Sequence, residues 1–192
     1  AGPTAVGKTA FAIELAKKLK SPIISADSRQ VFKELNIGVA RPSIEQLNEV
    51  KHYLIAHTSI HNPYNAGVFA KEARNIINQL FEDHNNLVVC GGTGLYIKAI
   101  LDDLNFPDTD PAVRQKITDE AQVLGDDQMH ARLATLDPAA ALAIPKENIR
   151  RVIRALEVIE ITGKPFTANL PKEASTKYPN AYQFGLVLDR EN

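Results

Sequence analysis

The stretch Gly2-Pro3-Thr4-Ala5-Val6-Gly7-Lys8-Thr9 stands almost at the start of the chain and has the form G-x-x-x-x-G-K-[ST]. Its glycines let successive backbone N–H groups turn toward one anionic group, Lys8 adds a point charge, and the Thr9 hydroxyl can hold Mg²⁺. Directly after it, Phe11, Leu15 and Leu19 recur at helical spacing with Ala12 and Ala16 beside them. A helix is therefore expected from Gly7, and the chain is expected to hold a di- or triphosphate. A glycine turn capped by threonine could exist without a ligand, but the helical context favours the phosphate loop. Gly2, Pro3, Thr4, Ala5, Val6, Gly7, Lys8 and Thr9 are the candidate diphosphate-binding residues, with Thr9 the candidate metal ligand.

The 192 residues suffice for one α/β domain with a modest insertion, and 44% hydrophobic content is that of an ordinary globular protein. No apolar run approaches membrane-spanning length, so no membrane partner is expected. A net charge of −1 means that any nucleic-acid partner must be held by a local basic patch. The single cysteine, Cys90, fits a reducing cytoplasm and reads as a small buried strand residue rather than a nucleophile. A phosphate loop normally follows a buried parallel strand, yet only Ala1 precedes Gly2, so the chain is expected to be a piece of a longer protein, cut at both ends.

Apolar strand candidates alternate with helical patterns along the first half. Residues 22–26 and 87–90 read as buried strands, and Val68 to Phe81 as a helix carrying Phe69, Ala73, Ile76, Ile77 and Leu80 on one face. This alternation predicts an α/β fold, a three-layer P-loop core with a parallel sheet, its first part spanning 1–105. From Phe106 the pattern turns helical, with helices near Ala112 to Leu124, Gln128 to Leu136 and Glu147 to Ile161. Residues 106–179 are thus expected to form a helical insertion ending in a proline-rich linker, and 180–192 the last core strand.

Ligands gather at the carboxyl ends of strands in open parallel sheets, which singles out two segments. In Ser25-Ala26-Asp27-Ser28-Arg29-Gln30, the Asp27 carboxylate could be a metal ligand, a general base or a helix cap. In Gly91-Gly92-Thr93-Gly94-Leu95-Tyr96, the glycines allow close backbone approach and the Thr93 hydroxyl can donate to an oxyanion; a tight strand-to-helix turn needs the same residues. Unlike common nucleotide hydrolases, the strand ending at Cys90 offers no carboxylate.

Taken in order, Gly-Pro-Thr-Ala-x-Gly-Lys-Thr, Ile-Ile-Ser-Ala-Asp-Ser-Arg-Gln-Val, Ile-Gly-x-Ala-x-Pro, Gly-Gly-Thr-Gly-Leu-Tyr and Arg-Ala-Leu-Glu-Val resemble the tRNA dimethylallyltransferases, also called tRNA isopentenyltransferases, of bacterial type. The resemblance runs from Gly2 to about Arg190. It implies that the phosphate loop grips dimethylallyl diphosphate and that the acceptor is the exocyclic N6 of the adenosine 3′-adjacent to the anticodon. It also implies Mg²⁺ as cofactor, the tRNA anticodon stem-loop as partner, and a cytoplasmic, monomeric enzyme. Asp27 matches the family's base and Thr93 its active-site threonine, with Lys8 and Thr9 stabilising the departing diphosphate. Asp27, Ser28, Arg29, Gln30 and Thr93 match its contacts to the extruded nucleotide.

Arg150, Arg151 and Arg154 fall on one face of the last insertion helix. By residue type they could simply pair with Glu147 and Glu157; the resemblance aligns them with the family's tRNA-contacting stretch and assigns them to RNA backbone recognition. Val39 and Arg41 depart from the family pattern, which has Thr and Lys there, and Phe32 stands where Tyr is usual. His52, His57 and His61 lack zinc-like spacing. Two alternatives remain: an adenylate isopentenyltransferase, whose strand-end motif is N-S-D-K, and a phosphate-loop NTP-binding kinase using Asp27 as magnesium ligand.

Overall fold

In the computed structural model, residues 1–2, 6–102, 104, 106–169 and 176–187 are described. The chain divides into two compact units, Ala1–Asp103 with Ser175–Asn192, and Leu104–Ala174.

The first unit is built on a parallel sheet. Its strands β1 (Ile23–Ser25), β2 (His52–Tyr53) and β3 (Val88–Cys90) lie in the order β2-β1-β3, with Ile23 opposite His52 and Val88, and Ser25 opposite Cys90. Helix α1 (Lys8–Leu19) covers one face, where Ala12, Ile13 and Ala16 pack with Ile23, Val50 and Val88. On the other face, α3 (Ala66–Leu80) and α4 (Gly94–Leu101) bury Phe69, Ala73, Ile77, Tyr96 and Ile100 against Ile24 and Ala26. The Phe69 and Tyr96 rings stack at 4.0 Å, a pairing that adds about 1 kcal/mol to their burial. A three-layer α/β core thus forms, and its carboxyl edge carries both segments singled out above.

Three local features differ from expectation. In α1 the buried stripe is Ala12, Ile13 and Ala16, while Phe11, Leu15 and Leu19 line a cavity of about 680 Å³ beside β3. Ala12 and Ala16 let the helix approach the sheet closely, with Ile13 buried beside them and Leu15 packed at the edge of the same core. A short helix, α2 (Ile44–Glu49), was not anticipated, although Ser43 and Gln46 form a reciprocal capping box at its start. The last core strand does not form among residues 181–187. Leu186 N–H donates to Ala1 O and the Ala1 amine to Phe184 O, both at 2.8 Å, a contact around a single residue that is too short to be a ladder. Tyr182, Phe184 and Val187 stay exposed there.

Among its described residues, the regular elements of the second unit are all helices. Helices α5 (Pro111–Leu124), α6 (Asp126–Leu136), α7 (Pro138–Ala143) and α8 (Ile149–Thr162) surround a core of Ile117, Met129, Leu133, Ile144, Val152 and Leu156. Asp110, Asp137 and Asn148 cap α5, α7 and α8 through side chains that accept backbone N–H bonds. Asp137 also accepts from the Thr167 amide at 2.8 Å; burial pushes its carboxyl up, and these hydrogen bonds together bring it below the ordinary value. Among the described residues no helix is long and apolar enough to cross a membrane.

Candidate active site

The phosphate-loop helix begins where expected. Gly7 takes φ 82°, a left-handed conformation that suits glycine, and caps α1, so the first amides of the helix are free of intrahelical partners and point out of its N-terminus. Of the eight loop residues, Pro3, Thr4 and Ala5 lie outside the described residues. Gly2 is brought against the second glycine segment: a Cβ on Gly92 would stand 3.5 Å from Gly2 O and 3.8 Å from Lys8 Nζ.

Glycine 91 is fixed by close approach rather than by φ. A Cβ there would lie 2.1 Å from Ala26 O, because Ala26 N–H donates to Cys90 O at 2.8 Å and Thr93 N–H to Ala26 O at 3.2 Å. The ends of β1 and β3 are thereby laced together, which sets Thr93 beside the Asp27 turn. Thr93 Oγ1 accepts from Ser28 N–H at 2.9 Å and donates to Ser28 Oγ at 3.2 Å. Its hydroxyl proton is therefore directed at Ser28, which leaves α4 without a side-chain cap at Thr93.

Asp27 is held by its own turn. Oδ1 accepts from the Arg29 and Gln30 amides at 2.9 and 3.2 Å, and Oδ2 has no partner among the described residues. Such an arrangement pins the carboxylate through one oxygen and leaves the other able to take a proton or a cation. Gln30 ties the strand end to the following loop: its Nε2 donates to Ala40 O at 2.7 Å and its Oε1 accepts from Ser25 Oγ at 3.2 Å.

A cleft of about 410 Å³ runs along this edge and is lined by Gly7, Lys8, Thr9, Asp27, Arg29 and Gln30 among others. Six of the expected site residues thus share one space. Lys8, Arg29 and Arg41 set positive charge against Asp27 there, which suits an anionic ligand. Arg41 donates through Nη1 to Asn36 Oδ1 at 2.8 Å and through Nη2 to Phe32 O, so its guanidinium also braces the loop. Burial pushes the Cys90 thiol up, so it is protonated at neutral pH and no nucleophile, as its strand position suggested.

Sequence reasoning missed Gln46, His52 and Ile55, which line the same cleft. The capping box would have located Gln46; His52 belongs to a strand of two residues, too short for a periodic signal, and Ile55 lies in the irregular segment just after it. Burial pulls the His52 imidazole below its ordinary value, against the opposing hydrogen bond from Nδ1 to Val50 O at 2.7 Å, so it is neutral in the cleft at pH 7.

The arginines of α8 separate into two kinds. Arg150 and Arg151 are exposed and have no side-chain partner among the described residues. Arg154 instead donates to Glu157 Oε2 at 2.9 Å, to Pro107 O at 2.7 Å and to Asp108 O at 3.2 Å. Glu157 is fully buried and also receives Arg114 Nη2 at 2.7 Å and the Asp110 amide at 3.1 Å. Burial pushes the Glu157 carboxyl up, but Arg154 and Arg114 outweigh it and hold it below the ordinary value. For Arg154 the geometry is that of the ion-pair alternative; its guanidinium is spent inside the unit.

The sequence model of the family described as IPP transferase matches residues 30–192. The chain belongs to the IPP transferase family. Among similar proteins, the tRNA dimethylallyltransferase of Cytophaga hutchinsonii is 40% identical over 191 residues, covering 99% of this chain and 63% of the relative. That of Thermobifida fusca is 44% identical over 194 residues, covering 98% and 60%. The chain therefore spans about three fifths of the length of the curated relatives it matches. Of solved structures, the full-length tRNA isopentenylpyrophosphate transferase of Bacillus halodurans is 37% identical with a TM-score of 0.52, covering 85% of this chain and 55% of that one. A eukaryotic dimethylallyltransferase acting on tRNA is 26% identical with a TM-score of 0.72, covering 87% and 42%. These likenesses agree with the α/β phosphate-loop fold described above.

Proposed function

We propose that the intact protein is a tRNA dimethylallyltransferase, moving a dimethylallyl group from dimethylallyl diphosphate to N6 of the adenosine 3′-adjacent to the anticodon and releasing diphosphate. The observation that carries this is a single cleft lined by both the start of the phosphate-loop helix and Asp27. Breaking the allylic C–O bond moves negative charge onto the departing diphosphate, and the amides at the start of α1, with Lys8 and Thr9, meet that charge. An exocyclic adenine amine is a poor nucleophile. As its nitrogen bonds to the allylic carbon, Asp27 Oδ2 takes the N6 proton, while Arg29 and Gln30 hold Oδ1 through their amides.

Thr93 acts through Ser28, keeping the strand-end turn against the glycine segment; Ser28, Arg29 and Gln30 stand next to the base for contact with the extruded nucleotide. Arg150 and Arg151 are the exposed charges proposed to meet the RNA backbone. Magnesium fits the donor set: Thr9 supplies one hard oxygen, and Mg²⁺ is ordinarily completed by substrate phosphate oxygens and water rather than by a protein cage. When bound, the ion would neutralise charge on the diphosphate. The proposed setting is the cytoplasm, with the protein acting as a monomer.

The test is Asp27→Ala in the intact protein. We expect kcat to fall about 10²–10⁴-fold with donor binding nearly unchanged, because the lost interaction forms in the transition state. Loss of donor binding instead would assign Asp27 to the metal, as in a phosphate-loop kinase.

A further inference from the structure

The backbone after β2 breaks the rule that side chains alternate across a strand, and the break delivers one apolar residue to the cleft. His52 lines the cleft and Tyr53 packs into the core on the α3–α4 face, as alternation requires. Leu54 should then return to the cleft side and Ile55 to the core. The opposite is found: Leu54 is buried in the same core as Tyr53, and Ile55 lines the cleft. Leu54 takes φ 62°, and Ala56, on the far side of Ile55, takes φ 46°.

Left-handed conformations cost a residue with a Cβ roughly 1–2 kcal/mol, and they persist where the surroundings impose them. Here the surroundings are visible. Ala56 N–H donates to Gln30 O at 2.9 Å and His57 N–H to Val31 O at 2.8 Å, so the chain after Ile55 is fastened to the segment following Asp27, while Leu54 before it is held by burial in the core. Ile55 shares the cleft with Val39 and Pro42, and Val39 stands where the family pattern has a hydroxyl. The wall around Ile55 thus offers the apolar surfaces of Val39 and Pro42 between the polar side chains of Arg41, Gln46 and His52, whereas the start of α1 is cationic and rich in backbone donors.

We infer that Ile55, presented between Leu54 and Ala56, is a specificity-determining residue that limits the length of the isoprenoid chain admitted with the diphosphate. This rests on the proposed prenyl-transfer activity and adds the residue that measures the donor's tail. A flat apolar wall cannot tell five carbons from ten, but a β-branched side chain fixed from both sides can, because the backbone cannot yield to a longer chain.

The experiment compares transfer to tRNA from dimethylallyl and geranyl diphosphate by the intact protein and by Ile55→Ala and Ile55→Phe, with thermal unfolding of each as the check on folding. For the unaltered protein the five-carbon donor is preferred. Ile55→Ala should raise the ratio of kcat/KM for geranyl over dimethylallyl diphosphate at least about 10-fold, the scale on which apolar pockets discriminate. Ile55→Phe should raise KM for the five-carbon donor while kcat changes little. Transfer with a ratio unmoved by either substitution overturns the role of Ile55 alone. No transfer from either donor by the unaltered protein overturns the prenyl-transfer proposal, and the role of Ile55 with it.

Discussion

The strand-end cleft and the arginine face of α8 use the same kinds of side chain in opposite ways. Around Asp27, polar groups are fixed by backbone amides and neighbouring hydroxyls, and Asp27 itself uses one oxygen for support and leaves the other for chemistry. Around Glu157, Arg154 and Arg114 converge on one buried carboxylate, and Arg154 also donates to the carbonyls of Pro107 and Asp108. A charged residue is available for a ligand only if its support comes from elsewhere. By that criterion Asp27, Arg150 and Arg151 qualify, and Arg154 does not.

The largest expected effect that separates the two regions is on stability. Glu157→Ala should lower the unfolding free energy by about 3 kcal/mol, since it removes the buried acceptor shared by Arg114, Arg154 and the Asp110 amide, read as a shift in the denaturant midpoint. The pH dependence carries the same sign. The folded-state pKa of Glu157 lies below its ordinary 4.5, so its contribution is full above that value and is lost as the pH falls through the depressed one. His52 is likewise depressed, from 6.5, and its contribution is present above that pH and lost as the pH falls. Glu157→Ala should therefore flatten the lower part of the acid-unfolding curve and leave the His52 part in place.

A smaller loss is expected at the strand ends. Gly91→Ala forces a methyl group against Ala26 O and should cost about 1–3 kcal/mol together with donor binding. Gly92→Ala, whose new methyl would meet nothing nearer than 3.5 Å among the described residues, should leave the unfolding midpoint unchanged. If the two behave alike, the lacing of β1 to β3 does not govern the site. The smallest effect sharpens the distinction among the arginines. Arg150→Ala and Arg151→Ala should each reduce the slope of log K for tRNA against log salt by about 0.7–0.9, whereas Arg154→Ala should affect stability and spare the slope.

Much of this was legible in the residues. The phosphate loop, the strands at Ile23–Ser25 and Val88–Cys90, and helices α3, α5, α6 and α8 follow from periodicity and turn residues, with bounds off by a residue or two. Asp27 and Thr93 were recognisable from their place at strand ends. What stayed hidden depended on contacts distant in sequence or on unusual backbone. Nothing local says that Arg154 will meet Pro107 and Asp108, 47 and 46 residues away. Alternation would have put Ile55 in the core, and only the left-handed turn at Leu54 reverses it. The apolar run near Phe184 reads as a strand, yet its described backbone pairing is with Ala1 alone.

The most direct measurement offers the intact protein labelled dimethylallyl diphosphate together with tRNA, AMP and Mg²⁺, and asks which acceptor gains the label. Label should appear on N6 of the adenosine beside the anticodon and be absent from AMP. Label on AMP, or none on any RNA while donor binds tightly, would contradict the pairing of phosphate loop and Asp27 proposed here.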